Sequence, residues 1–285
     1  MSVIHVIPKK HRRITVSGVL IFLFCLLCAF IMAMPFFWML CASFKLNTEI
    51  FASKRTQWIP EVFRTVNYVR VWNDIPFLQY FLNTAKLAVI ITLIQLVTCS
   101  LAAFSFSKLH YPGRDKLFLA YLATMMVPWY AIMIPQFIIV RSLGLFNTHA
   151  ALILLQAFSA FGVFILRQNM LSIPDSLIEA AKIDGGSWFR VYATIIIPLT
   201  KTGLVTLAVL TFNNIWNDYM GPMIYLDTQS LFTIQIGLAT FKQQYSADYG
   251  AIMAGTVCSI IPVIILYAFA QNQIVEGVAF SGLKN

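Results

Sequence analysis

The residues best suited to chemistry fall in two groups. The first is Asn213, Asn214, Trp216, Asn217, Asp218 and Tyr219, inside "NNIWNDYMGPMIYL". Asn213 with Asn217, and Asn214 with Asp218, are i, i+4 pairs on a helix, so amides and a carboxylate would share a face with two aromatic rings. Such a face suits a hydroxyl-rich solute that also offers an apolar surface for stacking. The same residues would equally serve as hydrogen-bonded locks between helices. The second group is Glu179, Lys182, Asp184 and Arg190, within "EAAKIDGGSWFRVYATIIIPL".

The surroundings of both groups are apolar. Hydrophobic residues make up 59% of the chain and charged ones 11%, against about 25% charged in an ordinary soluble domain. Six windows can each cover a hydrocarbon core as helix: Val16 to Cys41, Leu87 to Phe106 with a polar lead-in from Leu82, Leu117 to Val140, Ala150 to Leu166, Gly203 to Leu226 and Ala251 to Ala270. Backbone in lipid must satisfy itself, so each window is expected to be helical. The expected fold is an all-α membrane protein: a tail over residues 1–15, one domain over 16–285, and a loop over 172–199 bearing the charged island. Lys9, Lys10, Arg12 and Arg13 precede the first window like a signal peptide, but the apolar run is too long for one and reads as a retained anchor.

Asp218 is the one acidic or basic residue in the six windows, at a depth where a charge costs at least about 2.5 kcal/mol. Gly221-Pro222 is expected to break that helix just after it, as helices break near transport sites. Further candidates for a pathway are Met125, Met126, Trp129 and Tyr130 around Pro128, then Gln136 and Gln156. Flexible thioethers can pack as a gate, but ordinary core packing is the favoured reading of these residues.

Lys and Arg in the short connections sort the two sides. Lys108, Arg114, Lys116, Arg167, Lys182, Arg190 and Lys201 fall on the side of the N-terminal tail, while Arg141 and Lys242 are on the other with the cations of the long first loop. Both termini and the island are therefore expected in the cytoplasm. The net charge of +9 follows from this bias and from attraction to anionic lipid, and does not point to nucleic acid.

The island has its own local logic. Pro174 and Asp175 suit a helix first turn. Leu177, Ala180 and Ala181 form a stripe that another surface can approach. Asp184, Gly185 and Gly186 end the helix, and Ser187 caps a second one running toward Pro198. Two short helices at a glycine elbow make either a docking knob or an interfacial helix resting on headgroups.

Catalysis is not legible. No Walker A, HExxH, GxSxG or paired His/Cys spacing occurs, and all five cysteines lie in apolar windows. Neither a metal site nor a cofactor on this chain is expected.

One resemblance bears on the island. Glu179-Ala180-Ala181, three residues, Gly185, nine residues, then Ile195-x-Ile197-Pro198 resembles the EAA loop of permease subunits in binding-protein-dependent ABC importers. The likeness extends over nearly the whole chain and is greatest to carbohydrate importers, including the six-span subunit of maltose-type systems. "NNIWNDYMGPMIYL" resembles their WN-D-Y-x-GP signature, and "QNQIVEGVAFSGLKN" their C-terminal ending. Two departures are Ile197 in a leucine place, and Gly186 where alanine is more usual, which is expected to loosen the elbow.

The resemblance implies a type I importer permease fold in a bacterial inner membrane. Glu179, Ala180, Ala181, Asp184 and Gly185 would couple to a cytoplasmic ATPase. The implied partners are a second homologous permease, two ATP-binding subunits that carry ATP and Mg, a periplasmic solute-binding protein and a sugar. The outer segments Phe44 to Tyr80 and Leu226 to Gly250 would face that binding protein. Relatives with this layout handle disaccharides, oligosaccharides, acidic alginate fragments and glycerol phosphates. Two rivals remain: an ion-coupled secondary transporter using Asp218 and, more remotely, a membrane-embedded enzyme.

Overall fold

The structure is a computed structural model that describes residues 16–51, 58–242 and 247–282, with side chains up to residue 273. The tail cations Lys9, Lys10, Arg12 and Arg13, the loop cations Lys54 and Arg55, and the side chains of the C-terminal signature beyond residue 273 lie outside the described residues. The described elements are helical: α1 Val16–Ala42, α2 Asn47–Ile50, α3 Val66–Asn73, α4 Phe77–Lys108, α5 Arg114–Ala123, α6 Trp129–Ser142 and α7 His149–Leu155. Then come α8 Ala160–Leu171, α9 Asp175–Ile183, α10 Trp188–Val191, α11 Ile197–Leu199, α12 Lys201–Trp216, α13 Met220–Tyr225, α14 Ile234–Thr240 and α15 Tyr249–Gly282.

Three helices, α1, α4 and the 249–273 part of α15, are each long and apolar enough to cross a membrane, and up to six crossings result if each bent pair is one span. The bends lie inside or beside the apolar windows read as continuous. Arg114–Met126 meets Trp129–Ser142 at 95°, α7 meets α8 at 44°, and Trp188–Leu199 meets α12 at 76°. Pro128 accounts for the first: it offers no N–H, and the residue before a proline is pushed out of helical geometry, as Val127 is at ψ 114°.

The second bend leaves carbonyls without helical partners, and α4 supplies them. Gln95 Nε2 donates to the Gln156 carbonyl at 2.7 Å and Thr98 Oγ1 to that of Ala157 at 2.8 Å. Ser159 restarts the chain as a cap, its Oγ accepting from the Gly162 N–H at 3.0 Å. A broken helix at membrane depth is thus satisfied inside the protein.

α4 is the spine of the fold. Its 32 residues span about 48 Å at 1.5 Å per residue. Its buried positions, among them Tyr80, Thr84, Leu87, Ile91, Gln95 and Cys99, recur every three or four residues. They reach three clusters in turn. One gathers around Val71, Phe77 and Tyr80, one around Leu87, Ile91, Leu152 and Trp216, and one around Phe104, Leu166, Met170 and Ile178. Helix α1, by contrast, leaves its apolar side chains exposed, Phe22, Phe24 and Phe30 among them. Such a helix must be covered by lipid or by another chain.

Candidate functional site

Two features stand apart from the packed bundle. The first is a cavity of about 620 Å³ where α6, α7, α12 and α13 meet. The helix expected to run through Asn217 to Tyr219 ends at Trp216 and restarts at Met220. The break therefore precedes Gly221-Pro222 and falls among the polar residues themselves. Asp218 Oδ1 accepts the Gly221 N–H at 3.1 Å, holding the start of α13. Pro222 sits in the first turn of α13, where an absent N–H costs nothing.

The break turns the six polar and aromatic residues in different directions. Asn214, Asn217, Asp218 and Tyr219 line the cavity. Asn213 instead accepts both bonds from Asn217 Nδ2, through its carbonyl at 2.8 Å and Oδ1 at 3.1 Å. Trp216 is 1% exposed, stacks on Phe212 and donates Nε1 to the Ser259 carbonyl at 2.9 Å. It holds α12 to α15 and does not border the cavity.

The more distant candidates divide the same way. Trp129, Tyr130, Gln136 and Gln156 all line this cavity, joined by Tyr225. Gln156 Nε2 donates to Asp218 Oδ2 at 3.1 Å. Gln136 Oε1 accepts from Trp129 Nε1 at 3.2 Å and from the Tyr225 hydroxyl at 3.0 Å. Met125 and Met126 do not line it and stay exposed on the turn between α5 and α6. Chemically the cavity offers amides, phenols and an indole, with one carboxylate already tied on both oxygens. Among the described residues, no group of three His, Cys, Asp or Glu side chains comes together as a metal site.

The second feature is the elbow over residues 172–199. Helix α9 ends at Asp184, and Gly185 takes φ +78°. The Gly186 N–H donates to the Ala181 carbonyl at 2.8 Å and the Gly185 N–H to that of Lys182 at 3.1 Å, the paired bonds of a glycine-terminated helix. Gly186 does not loosen this turn. A Cβ there would come within 2.7 Å of the Ala181 carbonyl oxygen, and Lys182 Nζ clamps the Gly186 carbonyl at 2.9 Å. Ser187 Oγ caps the next helix by accepting from the Arg190 N–H at 3.2 Å.

The face α9 turns to the bundle differs from the expected stripe. Ile178 is buried and Ala181 packs beside it, while Leu177 and Ala180 point outward with Glu179, Asp184 and Gly185. Ile183 is 85% and Phe189 72% exposed, so the elbow keeps an apolar face that none of the described residues covers. Its root is anchored by a residue that sequence reading did not single out. Lys108, at the end of α4 with a side chain 2% exposed, reaches Asp175 Oδ1 at 2.7 Å and the Ile173 carbonyl at 2.6 Å. That hydrogen bond, and the ammonium charge behind it, hold the Asp175 carboxyl below its ordinary range. Gln95 and Tyr225 also escaped notice, since neither carries a local signal of the partner it meets.

Comparison with known proteins identifies the fold. A family model described as "binding-protein-dependent transport system inner membrane component" matches residues 100–278. The chain belongs to this permease family. The permease is 33% identical to the probable ABC transporter permease protein YurM of Bacillus subtilis, over 97% of this chain and 91% of that one. It is 30% identical to the arabinooligosaccharides transport system permease protein AraQ of Halalkalibacterium halodurans, over 90% and 92%, and 31% identical to the lactose transport system permease protein LacG of Rhizobium radiobacter, over 88% and 91%.

Among solved structures, the permease superposes with TM-score 0.78 and 25% identity on a bacterial ABC transporter involved in the import of the acidic polysaccharide alginate, covering 94% of this chain and 100% of that one. A bacterial alginate ABC transporter in complex with an alginate pentasaccharide-bound periplasmic protein matches at TM-score 0.65 and 14% identity, over 88% and 92%, a likeness of fold alone. The all-α, type I importer permease fold expected from the sequence is therefore the fold observed. The family is a transport subunit of the inner membrane, and its members are permeases, not catalysts.

Proposed function

We propose that this permease is one half of the translocation pathway of an ATP-driven importer of oligosaccharides in a bacterial inner membrane. Its partners are a second homologous permease, two copies of a cytoplasmic ATP-binding subunit that hold ATP and Mg, and a periplasmic binding protein that delivers the sugar. In this reading the chain crosses the membrane six times, with both termini and the elbow on the cytoplasmic side. Glu179, Ala180, Ala181, Asp184 and Gly185 form the joint with the ATP-binding subunit. Asn214, Asn217, Asp218 and Tyr219 border the sugar's route, with Asn213 and Trp216 behind them.

The observation that carries the reading is the elbow's uncovered apolar face, with Ile183 and Phe189 at its tip, standing on a root locked into α4 by Lys108. A stiffly mounted knob with an unsatisfied surface transmits force from a docked motor to the bundle, as a rigid-body transition between two states requires. The oligosaccharide assignment is supported by relatives named for arabinooligosaccharides and lactose.

The test is ATP hydrolysis by the purified four-subunit complex in nanodiscs. Sugar-loaded binding protein is expected to stimulate it, and replacing Glu179 together with Gly185 is expected to abolish stimulation or release the ATP-binding subunits. Full uptake by that double variant contradicts the coupling role. Ion-gradient uptake by this chain alone in liposomes would instead favour an ion-coupled carrier. Against that rival, both oxygens of Asp218 are occupied by Gly221 and Gln156, as suits a cap and a helix tie.

A further inference from the structure

The arm that leads from the elbow back to the bundle, residues 188–199, is not a plain α-helix. After α10, Tyr192–Ile196 form a π-helical turn, closed by the Ile197 N–H donating to the Tyr192 carbonyl five residues back. Such a turn holds one residue more than an α turn, so reversion to α geometry would rotate the parts on its two sides by about 100°. Threonines support its ends: Thr194 Oγ1 donates to the Arg190 carbonyl and Thr200 Oγ1 to that of Ile196, both at 2.7 Å. Both bonds are local, so neither stops the arm from pivoting against its neighbours.

Tyr192 supplies a tie across to α4. Its half-buried ring lies beside Phe104, centroids 5.4 Å apart, and its hydroxyl is 2.7 Å from Ser100 Oγ. Ser100 Oγ gives its one proton to the Val97 carbonyl at 3.1 Å, so the Tyr192 hydroxyl is the donor between them. The pair of bonds ends on the backbone of α4, at a serine 1% exposed. Phe104 also meets Trp188, 6.4 Å between centroids, and Lys182 Nζ sits 4.8 Å over the Trp188 ring. A line of ring contacts thus runs from α9 through Trp188 and Phe104 to Tyr192.

Among the described residues, the elbow and α4 are hydrogen-bonded through side chains at two places. Lys108 holds the entry arm at Asp175 and Ile173, and Ser100 holds the exit arm at Tyr192. These anchors are eight residues apart on α4, about 12 Å. One fixed point leaves a pivot, whereas two at that separation make the elbow and α4 turn as one body. Helix α4 carries the motion onward: Gln95, five residues from Ser100, bonds the Gln156 carbonyl and Thr211, and Gln156 lines the cavity.

We propose that Tyr192 is a positioning residue for coupling: its hydroxyl, bound to Ser100, fixes the exit arm to α4, so that a push on the elbow reaches the cavity wall and is not lost at the π turn. The role rests on the coupling reading above and adds a second anchorage to it. A phenyl ring would fill the same space beside Phe104, so the hydroxyl separates this role from packing.

The test uses the assembled complex, with its second permease and two ATP-binding subunits, in nanodiscs and needs no sugar. Asn214→Cys places a reporter thiol on the cavity wall. Its reaction with a water-soluble maleimide is read by mass spectrometry at that position, without nucleotide and after trapping with Mg-ATP and vanadate. With Tyr192 and Ser100 intact, trapping is expected to change the labelling rate at least about fivefold. Tyr192→Phe is expected to reduce that change to less than about twofold, while vanadate still arrests hydrolysis. Ser100→Ala removes the same bond from the other side and is expected to act alike, so either variant serves if the other fails to assemble. The double variant is expected to be no worse than either single one, because the two substitutions delete one interaction. A full change in labelling in either single variant overturns the inference; a tyrosine that merely packs would lower the melting temperature and leave that change intact. A reporter that trapping leaves unmoved with Tyr192 and Ser100 both present overturns the ATP-driven reading itself.

Discussion

At the scale of single residues, the pair Lys108–Asp175 shows how much one side chain can decide. An ammonium almost wholly removed from water must be paired, and it takes both the Asp175 carboxylate and the Ile173 carbonyl. Because the folded carboxyl is held below its ordinary range, the stabilisation is complete above the unfolded carboxyl's value of about 3.9 and is lost as pH falls through the lower folded one. Amide exchange across Asp175–Ile183 is therefore expected to be flat from neutral pH down to about pH 5, once corrected for intrinsic rates, and to rise on further acidification. In Asp175→Asn that acid-dependent rise should vanish, and the elbow should exchange faster throughout. Gly186 makes the second prediction. Alanine there would press on the Ala181 carbonyl oxygen at 2.7 Å, so Gly186→Ala is expected to weaken the turn by about 1–3 kcal/mol. The readout is a fall in sugar uptake per ATP hydrolysed, with total ATPase activity little changed.

At the scale of elements, each break in a spanning helix is mended by a neighbour. The bend between α7 and α8 exposes carbonyls, and α4 carries Gln95 and Thr98 at the positions that meet them. Gln95 also accepts from Thr211 Oγ1 at 2.9 Å, so one amide joins α4, the α7–α8 break and α12. Gln95→Leu would leave the Gln156 carbonyl and the Thr211 hydroxyl without partners. The expected cost is about 1–3 kcal/mol for each group left unsatisfied in a dry interior, measured as a lower melting temperature of the detergent-solubilised complex. The break between α12 and α13 follows similar logic. Asp218 caps α13 and is itself held by Gln156, so both breaks meet at the cavity wall.

At the scale of the whole molecule, the permease is incomplete by its own surface. Helix α1 is exposed along most of its length before its buried end at Cys41 and Ala42, the α5–α6 turn shows Met126 at 84% exposure, and the elbow ends in bare Ile183 and Phe189. Apolar area on this scale is covered by lipid or by other chains. In a cysteine-free background, cysteine at Ile183 is expected to crosslink to the ATP-binding subunit in the assembled complex, and cysteine at Phe24 to remain open to a lipid-phase maleimide. Labelling of both by a water-soluble maleimide in the assembled complex would contradict this arrangement.

Read by itself, the sequence determined what depends on near neighbours along the chain. Apolar runs marked the long helices α1, α4 and α15 but not the breaks inside the other windows, and Asp184-Gly185-Gly186-Ser187 specified both the end of α9 and the start of α10, because caps form between residues a few positions apart. The EAA spacing was likewise a local pattern and led to the right family. Tertiary structure alone decided which way side chains face. Trp216 and Asp218 are two residues apart, yet one is sealed against Ser259 and the other opens on the cavity, because the helix ends between them. Lys108 finds Asp175, and Gln95 finds Gln156, across more than sixty residues. Pairings at that separation are set by how helices pack around α4, and no local pattern in the sequence records them.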